Sequence, residues 1–130
     1  MKKLVITAVT LLALVAAAFV ALKLTPTPMS SDLSQVGQGT PAIVLAYENF
    51  SPSGAEALTR LKAVRPDYES RVRFIVADLG TPVGRTFGQR YGLQDSQAIL
   101  LDGSGRAVTI LARSEQALRD QLDNVIGTLR

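Results

Sequence analysis

The sequence predicts an α/β domain, a mixed four-stranded sheet with helices on both faces in the order β-α-β-α-β-β-α, preceded by one N-terminal transmembrane helix. Three observations carry that expectation. Short continuous apolar runs, "AIVLAY" (Ala42–Tyr47) and "VRFIVAD" (Val72–Asp78), have strand length and the texture of strands buried on both faces. Between and after them lie segments whose apolar residues recur about once per helical turn. Ahead of everything, an uncharged run extends from Leu4 to Leu22.

That run divides the chain. Residues 1–24 read as a membrane anchor or signal peptide, 25–40 as a flexible Pro/Ser/Gly-rich tether, and 41–130 as the folded domain. As a helix, Leu4–Leu22 would span roughly 28 Å, close to the ~30 Å hydrocarbon core of a bilayer. An uncleaved anchor would use all of it and stop at Lys23. A signal peptide would use Leu4–Val15 and be cut near Ala18, leaving a secreted or periplasmic product. Lys2 and Lys3 outweigh Lys23, so the N-terminus is expected in the cytoplasm and the domain outside it, in a single-pass arrangement. Ala13, Ala17 and Ala21 form a small-residue stripe on which an anchor-mediated homodimer could close, making the domain a structural spacer. The tether, "TPTPMSSDLSQVGQGT", lacks hydrophobic periodicity and, fully stretched, would reach roughly 50 Å.

Charge and composition exclude several function classes. Of 14 basic residues, Lys2, Lys3 and Lys23 belong to the first segment, so the remainder carries 11 basic against 11 acidic side chains. A neutral domain without interleaved aromatic and basic strand residues is not a nucleic-acid binder. With no cysteine and no histidine, disulfides, thiol catalysis, common zinc sites and histidine-based triads are all absent. No cofactor, metal ligand or catalytic residue is assigned.

Along the domain, "GAEALTRLKAV" (Gly54–Val64) places Leu58, Leu61 and Val64 on one helical stripe, ending near Pro66. Ser53 and Glu56 fit the S-x-x-E capping box of its start. Thr81-Pro82 reads as an N-cap followed by a first-turn proline, opening a helix to about Arg90 that Gly84 and Gly88 should weaken. "AILL" (Ala98–Leu101) and "AVTIL" (Ala107–Leu111) flank the Gly-rich loop Asp102–Gly105, a hairpin. The last helix opens at Ser114, with Leu118, Leu122, Val125, Ile126 and Leu129 on one face and Glu115 paired with Arg119 on the other. Arg60, Arg65, Arg71 and Arg73 make a locally basic region, read as solvated surface with anionic headgroups as the minor option.

"PAIVLAYENFSPSG", "VRFIVAD", "RYGLQDSQAILLDGSGRAV" and "SEQALRDQLDNVI", in this order and spacing, resemble the thioredoxin-like superfamily over nearly all of Pro41–Arg130. The chain looks like a degenerate member, lacking the Cys-x-x-Cys pair and the cis-proline. By that resemblance Ser51 and Gly54 occupy the positions of the two cysteines, Gln97 that of the cis-proline, and Leu45 that of a buried acid. A serine hydroxyl has no thiol couple and is far less acidic, so disulfide exchange is excluded.

The resemblance implies a groove in which the cis-proline loop pairs with a substrate backbone. Phe50, Ser51, Pro52, Ser53, Gly54, Ser96 and Gln97 are its candidate binding residues, and a protein or peptide of the cell envelope is the expected partner. The plainer reading makes the bend a helix cap. A third, borrowed from glutathione transferases, has Ser51 orient a small thiol such as glutathione.

Overall fold

A computed structural model describes residues 2–24 and 28–129, with the side chains of the first helix described as far as Ala18. The chain opens with helix α1 (Lys2–Leu24), and a single 3-10 turn (Leu33–Gln35) follows. The domain then runs β1 (Ala42–Tyr47), α2 (Pro52–Tyr68), β2 (Arg73–Asp78), α3 (Pro82–Tyr91), β3 (Ala98–Leu101), β4 (Ala107–Ile110) and α4 (Glu115–Ile126). The predicted order of strands and helices is the observed one. Among the described residues no helix is long and apolar enough to cross a membrane. Phe19 to Leu22, which complete the expected span, fall outside the residues whose side chains are described.

The sheet order is β2-β1-β3-β4. β1 lies parallel to β2, with Ala42 opposite Arg73 and Tyr47 opposite Asp78. It lies antiparallel to β3, which turns back into β4 through the hairpin. Central β1 is buried on both faces from Ala42 to Ala46, which is why it reads as an unbroken apolar run rather than an alternating one. Ile43, Leu45, Phe74 and Leu100 face α2 and α4, meeting Leu61, Leu118 and Leu122. Ala42, Val44, Ile75 and Leu101 face the other way, toward Phe87 of α3.

Two local expectations are corrected and a third gains a second role. α2 starts at Pro52, and its N-cap is Ser51, whose Oγ accepts from the Gly54 backbone N–H at 3.1 Å; the Ser53–Glu56 capping box does not form. The reason is Pro52, whose fixed φ and missing N–H suit the first helical position and so place the cap one residue earlier. α2 also continues past Pro66 to Tyr68. Pro66 forfeits one hydrogen bond in the final turns. Against that loss, Tyr68 is buried and its hydroxyl donates to the Asp123 carboxylate at 2.6 Å, tying the helix end to α4. Finally, Gly84 and Gly88 are packing residues as much as weak helix formers. A Cβ on Gly84 would stand 1.9 Å from the Asp78 carbonyl oxygen, and one on Gly88 would stand 2.9 Å from a methyl of Leu79. Bare backbone lets α3 lie directly on the end of β2.

The tether departs further from expectation. Residues 28–40 lie on the domain. Ser30 bridges to Ile75 in parallel, and its carbonyl accepts from the Val76 N–H at 2.8 Å, so this segment covers the outer edge of β2. Met29 packs against the core on the α2–α4 side, Leu33 and Val36 against the core on the α3 side. Gly39 N–H donates to the Gly103 carbonyl at 2.8 Å, closing the segment onto the hairpin loop. A Pro/Ser/Gly-rich composition conceals three apolar side chains, which suffice to hold the strip down.

Candidate functional site

The candidate site is built at the end of the sheet where β1 finishes, from two turns. The first is Glu48–Ser51, between β1 and α2. Phe50 takes a left-handed conformation, φ 66°, and its side chain is fully exposed. Such a φ is uncommon for a residue with a Cβ and is held here by the bonds on either side. Ser51 N–H donates to the Glu48 carbonyl at 3.2 Å, and the Ser51 carbonyl accepts from Ala55 N–H at 3.0 Å. The second turn is Gln94–Gln97, entering β3. Ser96 is also left-handed, φ 71°, and every described peptide bond is trans, including Ser96–Gln97. Gln97 closes its own turn: its N–H donates to the Gln94 carbonyl at 3.1 Å, while its side-chain Oε1 accepts from Gln94 N–H at 2.9 Å.

Asp95 joins the two turns. One carboxylate oxygen accepts from Glu48 N–H at 2.9 Å and the other accepts a short hydrogen bond from the Ser51 hydroxyl. Gly54 leaves room for this clamp, since a Cβ there would lie 3.0 Å from both the Asp95 carboxylate and the Tyr47 ring. Sequence reasoning missed Asp95. The signal available was an Asp-Ser pair just ahead of an apolar strand, the composition of a side-chain-capped turn.

The clamp limits the chemistry open to Ser51. Its hydroxyl accepts from the helix start and donates its one proton to Asp95. No proton remains to hold a thiolate, and the adjacent carboxylate repels an anion, so the geometry works against the glutathione reading. It also narrows strand addition at the second turn. Ser96 N–H donates to the Ala46 carbonyl at 2.8 Å, and the Gln97 carbonyl accepts from Ala46 N–H at 2.9 Å. With Gln97 N–H turned inward as well, those groups are spent on the fold.

The predicted site residues thus divide. Ser51, Gly54 and Ser96 are gathered around Asp95, and Pro52 opens α2. Ser53 is exposed on the first turn of α2, and Phe50 stands alone in solvent. Ser96 and Gln97 also border a small cleft of about 40 Å³ floored by Leu45, Leu111 and Leu118, with Arg60 and Arg113 among its lining residues. Phe50 and Ser51 do not line it. Among the described residues no group of acidic side chains could hold a metal ion.

The architecture matches solved structures. A thioredoxin-like protein of Clostridium perfringens superposes with a TM-score of 0.63 at 16% identity, over 78% of this chain and 79% of its own. Trxlp from Edwardsiella tarda matches with a TM-score of 0.60 at 22% identity, over 72% and 95%. The germline-specific thioredoxin Deadhead of Drosophila melanogaster matches at 0.61 and 12% identity, over 76% and 99%. No family model matches the sequence, and no curated relative does. The fold is thioredoxin-like. Where the resemblance places the first cysteine, this chain has a hydrogen-bonded serine, and where it places the cis-proline it has a trans Gln97.

Proposed function

We propose that this chain is a membrane-tethered, extracytoplasmic thioredoxin-like module without redox activity. It docks a protein or peptide of the cell envelope through the end of the domain that carries Phe50. The observation that carries this reading is Phe50 itself, a fully exposed aromatic held in a left-handed backbone on a turn that Asp95 ties down. An aromatic on a fixed turn has only two side-chain torsions to order on binding and supplies a large apolar contact. Docking by this side chain replaces strand addition at Gln97, whose backbone groups are already paired. Membrane tethering is supported by helix α1, whose described apolar side chains, Leu4 to Val15, are exposed on all sides of the helix.

The test places a photo-reactive residue at Phe50 in the full chain in native membranes, with a control at Asp120 on the exposed side of α4. A discrete adduct from position 50 alone, lost when the label is moved to Ser53 and Phe50 is changed to Asp, supports the docking role. Equal adducts from positions 50 and 120, or none from either, would reduce the bend to a helix cap.

A further inference from the structure

The docked strip changes how the domain can sit on its anchor. Ser30 is fixed beside Ile75, in parallel with β2, so Pro28 enters at the end of the sheet where β2 begins, beside Arg73. β1 and β2 run from that base to the opposite end, where Phe50 stands. α1 ends at Leu24, and covalent geometry allows at most about 14 Å between the Leu24 and Pro28 α-carbons. The free reach below the domain is therefore a fraction of the roughly 50 Å that a loose tether over 25–40 would have given.

The base is also where unpaired positive charge collects. Two neighbouring carboxylates are neutralised in ion pairs, Asp67 with Arg119 at 2.6 Å and Glu69 with Arg65 at 3.1 Å, while Asp123 keeps its charge and accepts from the Tyr68 hydroxyl at 2.6 Å. Asp102 is bound by its own hairpin loop, accepting from the Ser104 hydroxyl at 2.7 Å and from the Arg106 and Ser104 N–H groups, bonds that hold its pKa below the ordinary carboxylate value. Arg71 and Arg73 are exposed and form no ion pair among the described residues. The Arg71 guanidinium lies 5.4 Å over the Tyr68 ring, which holds it in place without neutralising it.

We infer that Arg71 and Arg73 rest on anionic phospholipid headgroups, so that the base of the domain lies on the bilayer and the Phe50 turn faces away from it; this rests on the membrane reading above. Headgroup regions extend roughly 5–8 Å beyond the hydrocarbon core on each side. An anchor filled by Leu4–Leu22 with Lys23 at its boundary brings the base within that layer or within a Debye length of it, about 8–10 Å. The sheet itself then acts as the spacer that holds the docking turn clear of lipid.

The chain has no cysteine, so single cysteines can be labelled without background. The full chain is reconstituted in vesicles of phosphatidylcholine and phosphatidylglycerol in equal parts, and in phosphatidylcholine alone. Integration is read by flotation after alkaline washing. A fluorophore at S70C or at S53C reports proximity to a headgroup-attached quencher. Quenching is expected to be several-fold stronger at S70C than at S53C in the mixed vesicles. It should be largely lost in high salt, in phosphatidylcholine alone, and in R71Q/R73Q, whose thermal unfolding checks that the exposed substitutions leave the fold intact. A chain that does not float overturns this inference together with the membrane reading. A chain that floats but quenches equally at both sites overturns this inference alone. Quenching at S70C that ignores salt, lipid charge and R71Q/R73Q would overturn the arginine contact.

Discussion

At Ser51 one hydroxyl serves two partners, accepting from Gly54 N–H and donating to Asp95, and the pair can be separated by mutation. Ser51→Ala removes the cap of α2 and should cost about 1–2 kcal/mol. Asp95→Ala strands both Glu48 N–H and the Ser51 hydroxyl, for about 1–3 kcal/mol. Because they share one bond, the double variant should fall short of the summed costs by about 1 kcal/mol in denaturant titrations; strict additivity would mean the clamp is not formed in solution. Gly84 gives a second residue-scale test. A methyl directed at the Asp78 carbonyl has nowhere to go, so Gly84→Ala should cost about 3 kcal/mol, the upper end of overpacking. Gly92 caps α3 at φ 66° with open space around its Cα, and Gly92→Ala should cost only about 1–2 kcal/mol. Neither distinction was legible in the sequence. Glycine lowers helix propensity wherever it stands, while a close approach to β2 exists only once the strand and helix are packed.

Between elements, the seam of α2 and α4 holds a tyrosine whose titration is coupled to folding. Tyr68 is buried at the end of α2, and its pKa is raised, first by that burial and then by the hydrogen bond to the Asp123 carboxylate. The folded pKa therefore lies above the unfolded value of about 10. Below that value both states keep the phenol protonated and the stability is fully present. As pH rises past about 10 the unfolded chain loses its proton first, and stability falls until the folded pKa is passed. Tyr68→Phe should flatten that alkaline slope while costing about 1 kcal/mol at neutral pH for the lost hydrogen bond; an unchanged slope would place the titrating group elsewhere. The elements themselves were readable because periodicity is a local property. β1, buried on both faces, shows as an unbroken apolar run, and α4 shows as a stripe through Leu118, Leu122 and Ile126. What joined them was not. Asp95 bridges turns 44 residues apart from Ser51, and Tyr68 meets Asp123 across 55, separations that no local pattern records.

For the whole molecule the decisive segment is the strip from residue 28 to 40, whose composition reads as a linker and whose contacts make it part of the fold. Its Pro, Ser and Gly residues hide Met29, Leu33 and Val36, each partly buried on the core, while Ser30 supplies the hydrogen bond that covers the β2 edge. Three half-buried apolar side chains amount to about 3 kcal/mol at ~1.5–3 kcal/mol for full burial of each. A domain beginning at residue 41 should thus be less stable than one beginning at residue 28 by about 3 kcal/mol. It should also associate through the uncovered edge of β2, since an open strand presents unpaired N–H and C=O groups to any other chain. Denaturant unfolding and light scattering of the two fragments read both effects. Equal stability with no association would return the strip to the role of a loose tether, lengthen the reach of the domain from its anchor, and remove the geometric basis for a base held at the headgroups. Lower stability and association of the shorter fragment would instead make residues 28–40 an integral part of the fold, the cover that keeps the edge of β2 from pairing with another chain.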